Sequence, residues 1–137
     1  IPLLKIKIIL TMANKRVFVA FAIEDETTKI LFTGQAKNKN VPFDFVDMSV
    51  KQPWDTNWKA NCRTKIKGCD GAFALVSKNL KNASGALWEI DCIIEEKVPL
   101  MGIYIDGGTL FDKPSNMSGV TCKEWTWENV KAFIESL

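Results

Sequence analysis

The sequence predicts an α/β protein in which a five-stranded parallel sheet is covered by helices on both faces. Short apolar segments rich in β-forming residues recur at an even spacing, and amphipathic segments lie between them. Two of the apolar segments have no polar face, which is typical of parallel strands buried between helical layers. With 137 residues, 47% of them hydrophobic, the chain can bury one core and form a single domain.

Four of the predicted strands begin at residues 15, 43, 71 and 99, so each begins 28 residues after the one before. About 20 residues then remain between strands, enough for the loop, helix and loop of a βαβ crossover. A fifth, more polar strand follows. Five strands in a chain of this size favour a three-layer, flavodoxin-like fold with strand order 2-1-3-4-5. The predicted strands are Lys15–Phe21, Phe43–Ser49, Gly71–Ser77, Pro99–Ile105 and Val120–Glu124.

Four helices are predicted between and after these strands. Glu24–Asn38 opens with acidic residues, which are favourable at the amino end of a helix. Asp55–Lys67 is amphipathic, and Asn82–Lys97 carries the clearest apolar stripe at three-and-four spacing. The last helix, Thr126–Ser136, opens with a threonine, a residue type that is favoured at the N-cap of a helix.

Residues 1–11 are expected to be an added or upstream extension, with the natural start at Met12. The segment IPLLKIKIIL is too short to span a bilayer and lacks the cleavage site of a signal peptide. The alternative is an extra strand on an edge of the sheet. Residues 12–137 are then expected to form the single domain.

The composition excludes several kinds of chemistry. The chain has no histidine, which removes Ser-His-Asp and Cys-His catalysis and histidine metal ligands. Its four cysteines include no C-x-x-C spacing, so no metal site is predicted, and reduced thiols in a cytoplasmic protein are expected. The 18 basic and 16 acidic residues are mixed along the chain, so neither nucleic acid nor a membrane is an expected partner.

In this architecture the ligand is expected beyond the carboxyl ends of the strands. The loop after the first strand has no glycine, so it holds neither a dinucleotide fingerprint nor a P-loop. Glu24 and Asp25 would suit a receiver domain, but Ser77 stands where the phosphate-accepting aspartate would be, which disfavours a receiver-like regulator. Residues Asp106 to Gly108 predict a turn.

Glu89 is the carboxylate with the most unusual position. At about 100° per residue it lies on the border of the apolar stripe of its helix, near the carboxyl edge of the sheet where the ligand is expected. Gly85 and Ala86 remove bulk one turn before it and leave room for a flat ligand. A partly desolvated but reachable carboxylate would result. The alternative is an ordinary glutamate at the edge of the stripe, bonded to a lysine.

Without histidine or metal, a lone carboxylate is best suited to the cleavage of an N-glycosidic bond. The transition state is oxocarbenium-like and positively charged, so a nearby anion stabilises it. A leaving base that is already cationic, such as the nicotinamide of NAD⁺, needs little acid assistance.

Two segments of the chain resemble the TIR-like proteins of the bacterial Thoeris antiphage defence family. The segment KRVFVAF at 15–21, followed by Glu24 and Asp25, is similar to the first strand of that family. Ala72–Ser77, then Ser84 and the sequence Trp88-Glu89-Ile90, resembles the strand and helix that carry its catalytic glutamate. The resemblance spans roughly residues 12–137.

The resemblance implies a TIR-like fold, NAD⁺ as substrate with no further cofactor, and Glu89 as the catalytic residue. It implies a cyclic ADP-ribose isomer as product, an effector protein activated by that signal, and a cytoplasmic protein that can self-associate. The implied substrate-binding residues are Phe21, Ala22, Asp47, Ser49, Ser77, Ser84 and Trp88.

Five of these positions also have a purely structural explanation. Phe21 and Trp88 suit core packing, Asp47 and Ser49 suit the capping of a strand end, and Ser84 suits the capping of its helix. The sequence departs from the family pattern at Ala20, Ala22 and Gly85. A catalytically silent TIR-like binding or signalling module is therefore the alternative function.

Overall fold

The computed structural model describes residues 2–6, 15–38, 44–48 and 51–137 of the chain. Within these residues, five strands form one parallel sheet in the order β2-β1-β3-β4-β5. The predicted fold class and strand order are confirmed. The strands are β1 (Arg16–Ala20), β2 (Asp44–Val46), β3 (Gly71–Val76), β4 (Leu100–Tyr104) and β5 (Cys122–Glu124).

Four helices occupy the predicted intervals. They are α1 (Glu26–Asn38), α2 (Thr56–Lys67), α3 (Ser84–Glu95) and α4 (Trp127–Glu135). Asp55 caps α2 by accepting a hydrogen bond from the Asn57 backbone N–H at 2.8 Å. Thr126 caps α4 by accepting from the Asn129 N–H at 3.1 Å, as its sequence position predicts.

Three helix boundaries differ from the prediction by two residues. A 3₁₀ turn, Leu80–Asn82, precedes α3, and the extended backbone of Ala83 separates the two, so the helix starts two residues after Asn82. At the other end Lys97 has a φ of 57°, which terminates the helix before the predicted residue. A second 3₁₀ turn, Ile23–Asp25, likewise precedes α1.

Residues 3–6 form a helical turn, so the extra strand considered for the amino terminus is wrong for these residues. Leu3 and Leu4 are exposed. The remaining part of that segment, residues 1 and 7–11, lies outside the described residues. Among the helices that the structure describes, none is both long enough and apolar enough to cross a membrane.

The sheet separates the core into two layers of side chains. On one face, alternate strand residues such as Phe18 and Ala74 pack against α2 and α3. On the other face, residues such as Val19 and Phe73 pack against α1 and α4. Every residue of β3 is buried, as expected for a central strand with helices on both sides. The predicted three-layer arrangement follows from this alternation.

Candidate functional site

Three neighbouring strands end side by side at the predicted ligand edge. In the order β2-β1-β3, the residues that directly follow the strands are Asp47, Phe21 and Ser77. Because parallel strands run in one direction, all three residues belong to the carboxyl edge of the sheet. Helix α3 begins after the same edge and carries Glu89 in its second turn. The fold therefore gathers four of the predicted site residues in one region.

The carboxylate of Glu89 is enclosed rather than partly open. Its side chain is 0% exposed, and both of its oxygens accept hydrogen bonds from the Lys51 ammonium, at 2.9 and 3.0 Å. The Cys62 thiol on α2 lies 3.9 Å from Oε2. The prediction of a reachable carboxylate on the border of the stripe is wrong for this structure, because Lys51 and α2 cover it.

Burial raises the pKa of Glu89 to about 7 from its ordinary value of 4.5. The Lys51 ammonium acts in the opposite direction but does not offset the loss of solvent, and the Asp47 carboxylate adds to the rise. A carboxyl group with this pKa exists in both protonation states near neutral pH. That property suits a group that handles charge or protons during a reaction.

Gly85 makes room for Lys51. A Cβ atom on Gly85 would lie 2.6 Å from the Lys51 Cβ, closer than packed carbon atoms approach, and 3.2 Å from its Cγ. The prediction that Gly85 leaves space one turn before Glu89 is therefore right about the space. The prediction is wrong about what fills that space. In this structure the aliphatic stem of Lys51 fills it, rather than a ligand.

Phe21 is a fully buried ring faced by two ammonium groups. The nitrogen of Lys51 lies 4.1 Å from the ring centroid and that of Lys29 lies 5.2 Å from it. Lys29 in turn pairs with Asp47 at 2.7 Å. Two lysine–carboxylate pairs thus meet at one aromatic ring, where cation–π attraction adds to each pair. Neither lysine is predicted as a site residue from the sequence, because no local motif distinguishes them from other lysines.

Ser77 belongs to a hydrogen-bonded cluster at the ends of β1 and β3. Its hydroxyl donates to the Asp25 carboxylate and accepts from the Asn79 backbone N–H at 3.0 Å. The Asn79 side-chain amide donates to the other Asp25 oxygen at 2.9 Å. Ser77 and Asp25 are both buried. The cluster ties two neighbouring loops together and fixes the shape of this part of the edge.

The other predicted site residues are placed less centrally. Ser84 is the exposed first residue of α3, and Ala83 is the residue at the N-cap, so the alternative explanation of Ser84 as the helix cap is wrong. Ala22 is buried just before the 3₁₀ turn that leads into α1. Ser49 lies outside the described residues.

Trp88 packs against α2. Its ring centroid lies 5.3 Å from that of Trp58, and the Arg63 guanidinium and Lys59 ammonium lie 5.6 and 6.0 Å from it. Trp54, in the connection before α2, is 80% exposed. These contacts agree with the packing explanation for Trp88.

The described residues contain no group of three or more cysteine, aspartate or glutamate side chains arranged to hold a metal ion. All four cysteines are free thiols. The turn predicted at Asp106 is confirmed by its φ of 50° and by the Gly108 N–H, which donates to the Ile105 carbonyl at 2.8 Å. Asp106 also accepts a hydrogen bond from the Thr28 hydroxyl at 2.7 Å.

A surface groove of about 560 Å³ lies along a different side of α3. Leu87 and Asp91, which line it, are each about 160° from Glu89 around the helix, on nearly the opposite side. None of the predicted site residues lines this groove. It is therefore separate from the carboxyl-edge site.

No protein-family model and no curated protein matches this chain. Several solved structures do. The TIR domain of the Toll-related receptor TRR-2 from the lower metazoan Hydra magnipapillata superposes with a TM-score of 0.60 at 14% sequence identity, over 86% of this chain and 90% of that one. The RPS4 and RRS1 TIR domain heterodimer gives a TM-score of 0.57 at 11% identity, over 90% and 91% of the two chains.

A third similar structure is BcmB, a CMP N-glycosidase from Clostridium botulinum. It superposes with a TM-score of 0.53 at 18% identity, over 90% of this chain and 100% of that one. At such low identities the similarity concerns the fold alone. The chain therefore has a TIR-like form of the flavodoxin-like fold, as its two sequence segments predicted.

Proposed function

We propose that this chain cleaves NAD⁺ at its nicotinamide N-glycosidic bond and that the Glu89 carboxylate stabilises the transition state. The observation that carries the proposal is the position of Glu89, a buried carboxylate beside an aromatic ring at the carboxyl edge of a TIR-like sheet. The carboxylate already binds a cation there, which is the property that an oxocarbenium-like transition state requires. The same fold carries N-glycosidic cleavage in the protein named CMP N-glycosidase.

In the proposed step, the bond between ribose C1′ and the nicotinamide nitrogen breaks. Its electron pair goes to the nitrogen, which neutralises the pyridinium ring, and positive charge develops on the ribose. The ionised Glu89 stabilises this charge. Water then attacks C1′ and loses a proton, which gives ADP-ribose, or a nucleophilic atom of the same molecule attacks, which gives a cyclic ADP-ribose isomer.

The resemblance to the Thoeris family extends the proposal to biology. In this part of the proposal the chain acts in the cytoplasm during phage infection, and its cyclic product activates a partner effector protein. Self-association of the chain belongs to the same proposal.

The test is an assay of nicotinamide release, with nucleotide products identified by mass spectrometry, on purified protein and on phage-infected cells that express the chain. Glu89→Gln keeps the shape of the side chain but removes its charge, and we expect at least an about 100-fold loss of turnover. Glu95→Gln, on the same helix with a side chain 60% exposed, is the matched control and should retain activity. Turnover in Glu89→Gln equal to that of the unaltered protein would remove Glu89 from the mechanism.

The ion pair itself favours a second candidate function, a TIR-like module that binds a partner and catalyses nothing. With Lys51 on both oxygens, Glu89 has no open face in this structure. Calorimetric titration with NAD⁺ and ADP-ribose separates the two functions, because a silent module is expected to bind neither at millimolar concentration.

A further inference from the structure

The surroundings of the Lys51 ammonium are those of a bound organic cation. The nitrogen contacts two carboxylate oxygens at 2.9 and 3.0 Å and lies 4.1 Å from the centroid of the Phe21 ring. A carboxylate beside an aromatic face is a favourable setting for a monocation, especially where water is excluded. Here the Glu89 carboxylate and the Phe21 ring are both fully buried.

The two halves of this arrangement are anchored differently. Glu89 is held in the second turn of α3 and Phe21 directly follows β1, so both are fixed by the core. Lys51 lies in the connection between β2 and α2, outside any helix or strand. Its stem occupies the space that the missing side chain of Gly85 leaves open. Removal of Lys51 from the pair therefore needs no rearrangement of a regular element.

We propose that Phe21 and Glu89 form a binding site for a flat organic monocation, and that Lys51 is the internal occupant which this ligand displaces. The inference rests on the proposed function in one respect, since there the monocation is the pyridinium ring of NAD⁺. A single buried carboxylate cannot neutralise two cations at once, so lysine and ligand compete. Lys51 then sets specificity, because a neutral ring of the same shape gains too little to replace it.

The competition makes a quantitative prediction. A ligand whose site is occupied by a competing group binds with an affinity reduced by the fraction of molecules in which the site is free. Lys51→Met removes the competing charge but keeps a stem of similar size. We expect it to bind 1-methylnicotinamide, a flat monocation, at least about ten-fold more tightly than the unaltered protein. Nicotinamide, the neutral ring of the same shape, should show no such gain.

The experiment is isothermal titration calorimetry with these two probes at several pH values above 7, because loss of the Lys51 ammonium raises the pKa of Glu89 further and the carboxylate must be ionised to bind a cation. Lys59→Met controls for the loss of one positive charge near the site, because its ammonium faces Trp88 rather than Glu89. Lys51→Gln carries the same prediction if Lys51→Met fails to fold, since the glutamine amide still donates to the carboxylate. Circular dichroism of each variant checks the fold.

A gain for 1-methylnicotinamide that appears only in the Lys51 variants supports the inference. Equal affinity in all proteins, an equal gain for nicotinamide, or the same gain in Lys59→Met would overturn it. Binding and turnover are separate measurements, so the two proposals fail separately. A gain in cation binding without NAD⁺ cleavage would support the cation site and reject the proposed activity. Cleavage of NAD⁺ without the gain would support the activity and reject the role of Lys51 as a competing occupant.

Discussion

A buried glutamate with a single lysine partner is a costly element for a fold unless the two charges stay together. Transfer of either group from water costs several kcal/mol, and the pair offsets this only while its geometry holds. In this protein both oxygens of Glu89 contact one ammonium, and the Phe21 ring adds attraction on a further side. The same features make the carboxylate sensitive to pH and to any competing cation.

The pKa of Glu89 gives the first prediction at the residue scale. Because the ionised carboxylate stabilises the developing cation, NAD⁺ cleavage should rise as pH increases and reach half of its maximum near pH 7. Lys51 lowers this pKa, so the midpoint should move to higher pH in Lys51→Met. The measurement is kcat/KM across the range from acid to mildly alkaline pH. A flat profile through neutral pH would show that the ionisation of Glu89 does not control the step.

At the scale of elements, replacement of glycine by alanine should change the free energy of unfolding in opposite directions in α1 and α3. Nothing lies within 4 Å of a Cβ atom at Gly34 in α1, so Gly34→Ala should raise the free energy of unfolding by about 1 kcal/mol through helix propensity. At Gly85 the same atom would lie 2.6 Å from the Lys51 Cβ. Gly85→Ala should therefore lower the free energy of unfolding by about 1–3 kcal/mol.

Urea denaturation of both variants measures this difference. The substitution is the same and both sites are helical, so the comparison isolates the contact with Lys51. If Gly85→Ala stabilised the protein as much as Gly34→Ala, the Lys51 stem would not be packed where the structure places it.

The elements were largely predictable because their signals are local. Even strand spacing, apolar stripes and a start signal at Thr126 depend on residues close together in the chain, and they gave the sheet order and four helices. Boundaries were less predictable. The breaks at Ala83 and Lys97 depend on backbone geometry that the apolar pattern does not encode.

The site was predictable only in part, for the same physical reason. Glu89 is recognisable because a charge beside an apolar stripe is unusual within its own helix. Its partner Lys51 is 38 residues away and lies in a loop with no distinguishing pattern. The same holds for Lys29 beside Phe21. Such pairs arise from the meeting of loops at the sheet edge, which only the folded chain brings about.

For the molecule as a whole, burial of Glu89 links folding to pH. The group has a pKa of about 7 when folded and an ordinary value of 4.5 when exposed. Between these values the folded protein holds a proton that the unfolded chain has already released. A rise in pH therefore favours unfolding across this window, by at most about 1.4 kcal/mol per pH unit for one proton. Above about pH 7 both states are ionised and this contribution no longer changes.

The prediction concerns the difference between the unaltered protein and Glu89→Gln, because other groups affect both proteins alike. The free energy of unfolding of the unaltered protein, minus that of Glu89→Gln, should fall as pH rises from 4.5 to 7 and then level off. Urea denaturation at several pH values measures it, with Glu95→Gln as a control that should show no such trend because its side chain is 60% exposed. A difference that rises with pH would mean that Lys51 holds the carboxyl of Glu89 ionised more strongly than burial disfavours it. In that case the carboxylate would be permanently charged, and the control of NAD⁺ cleavage near neutral pH would have to come from another group.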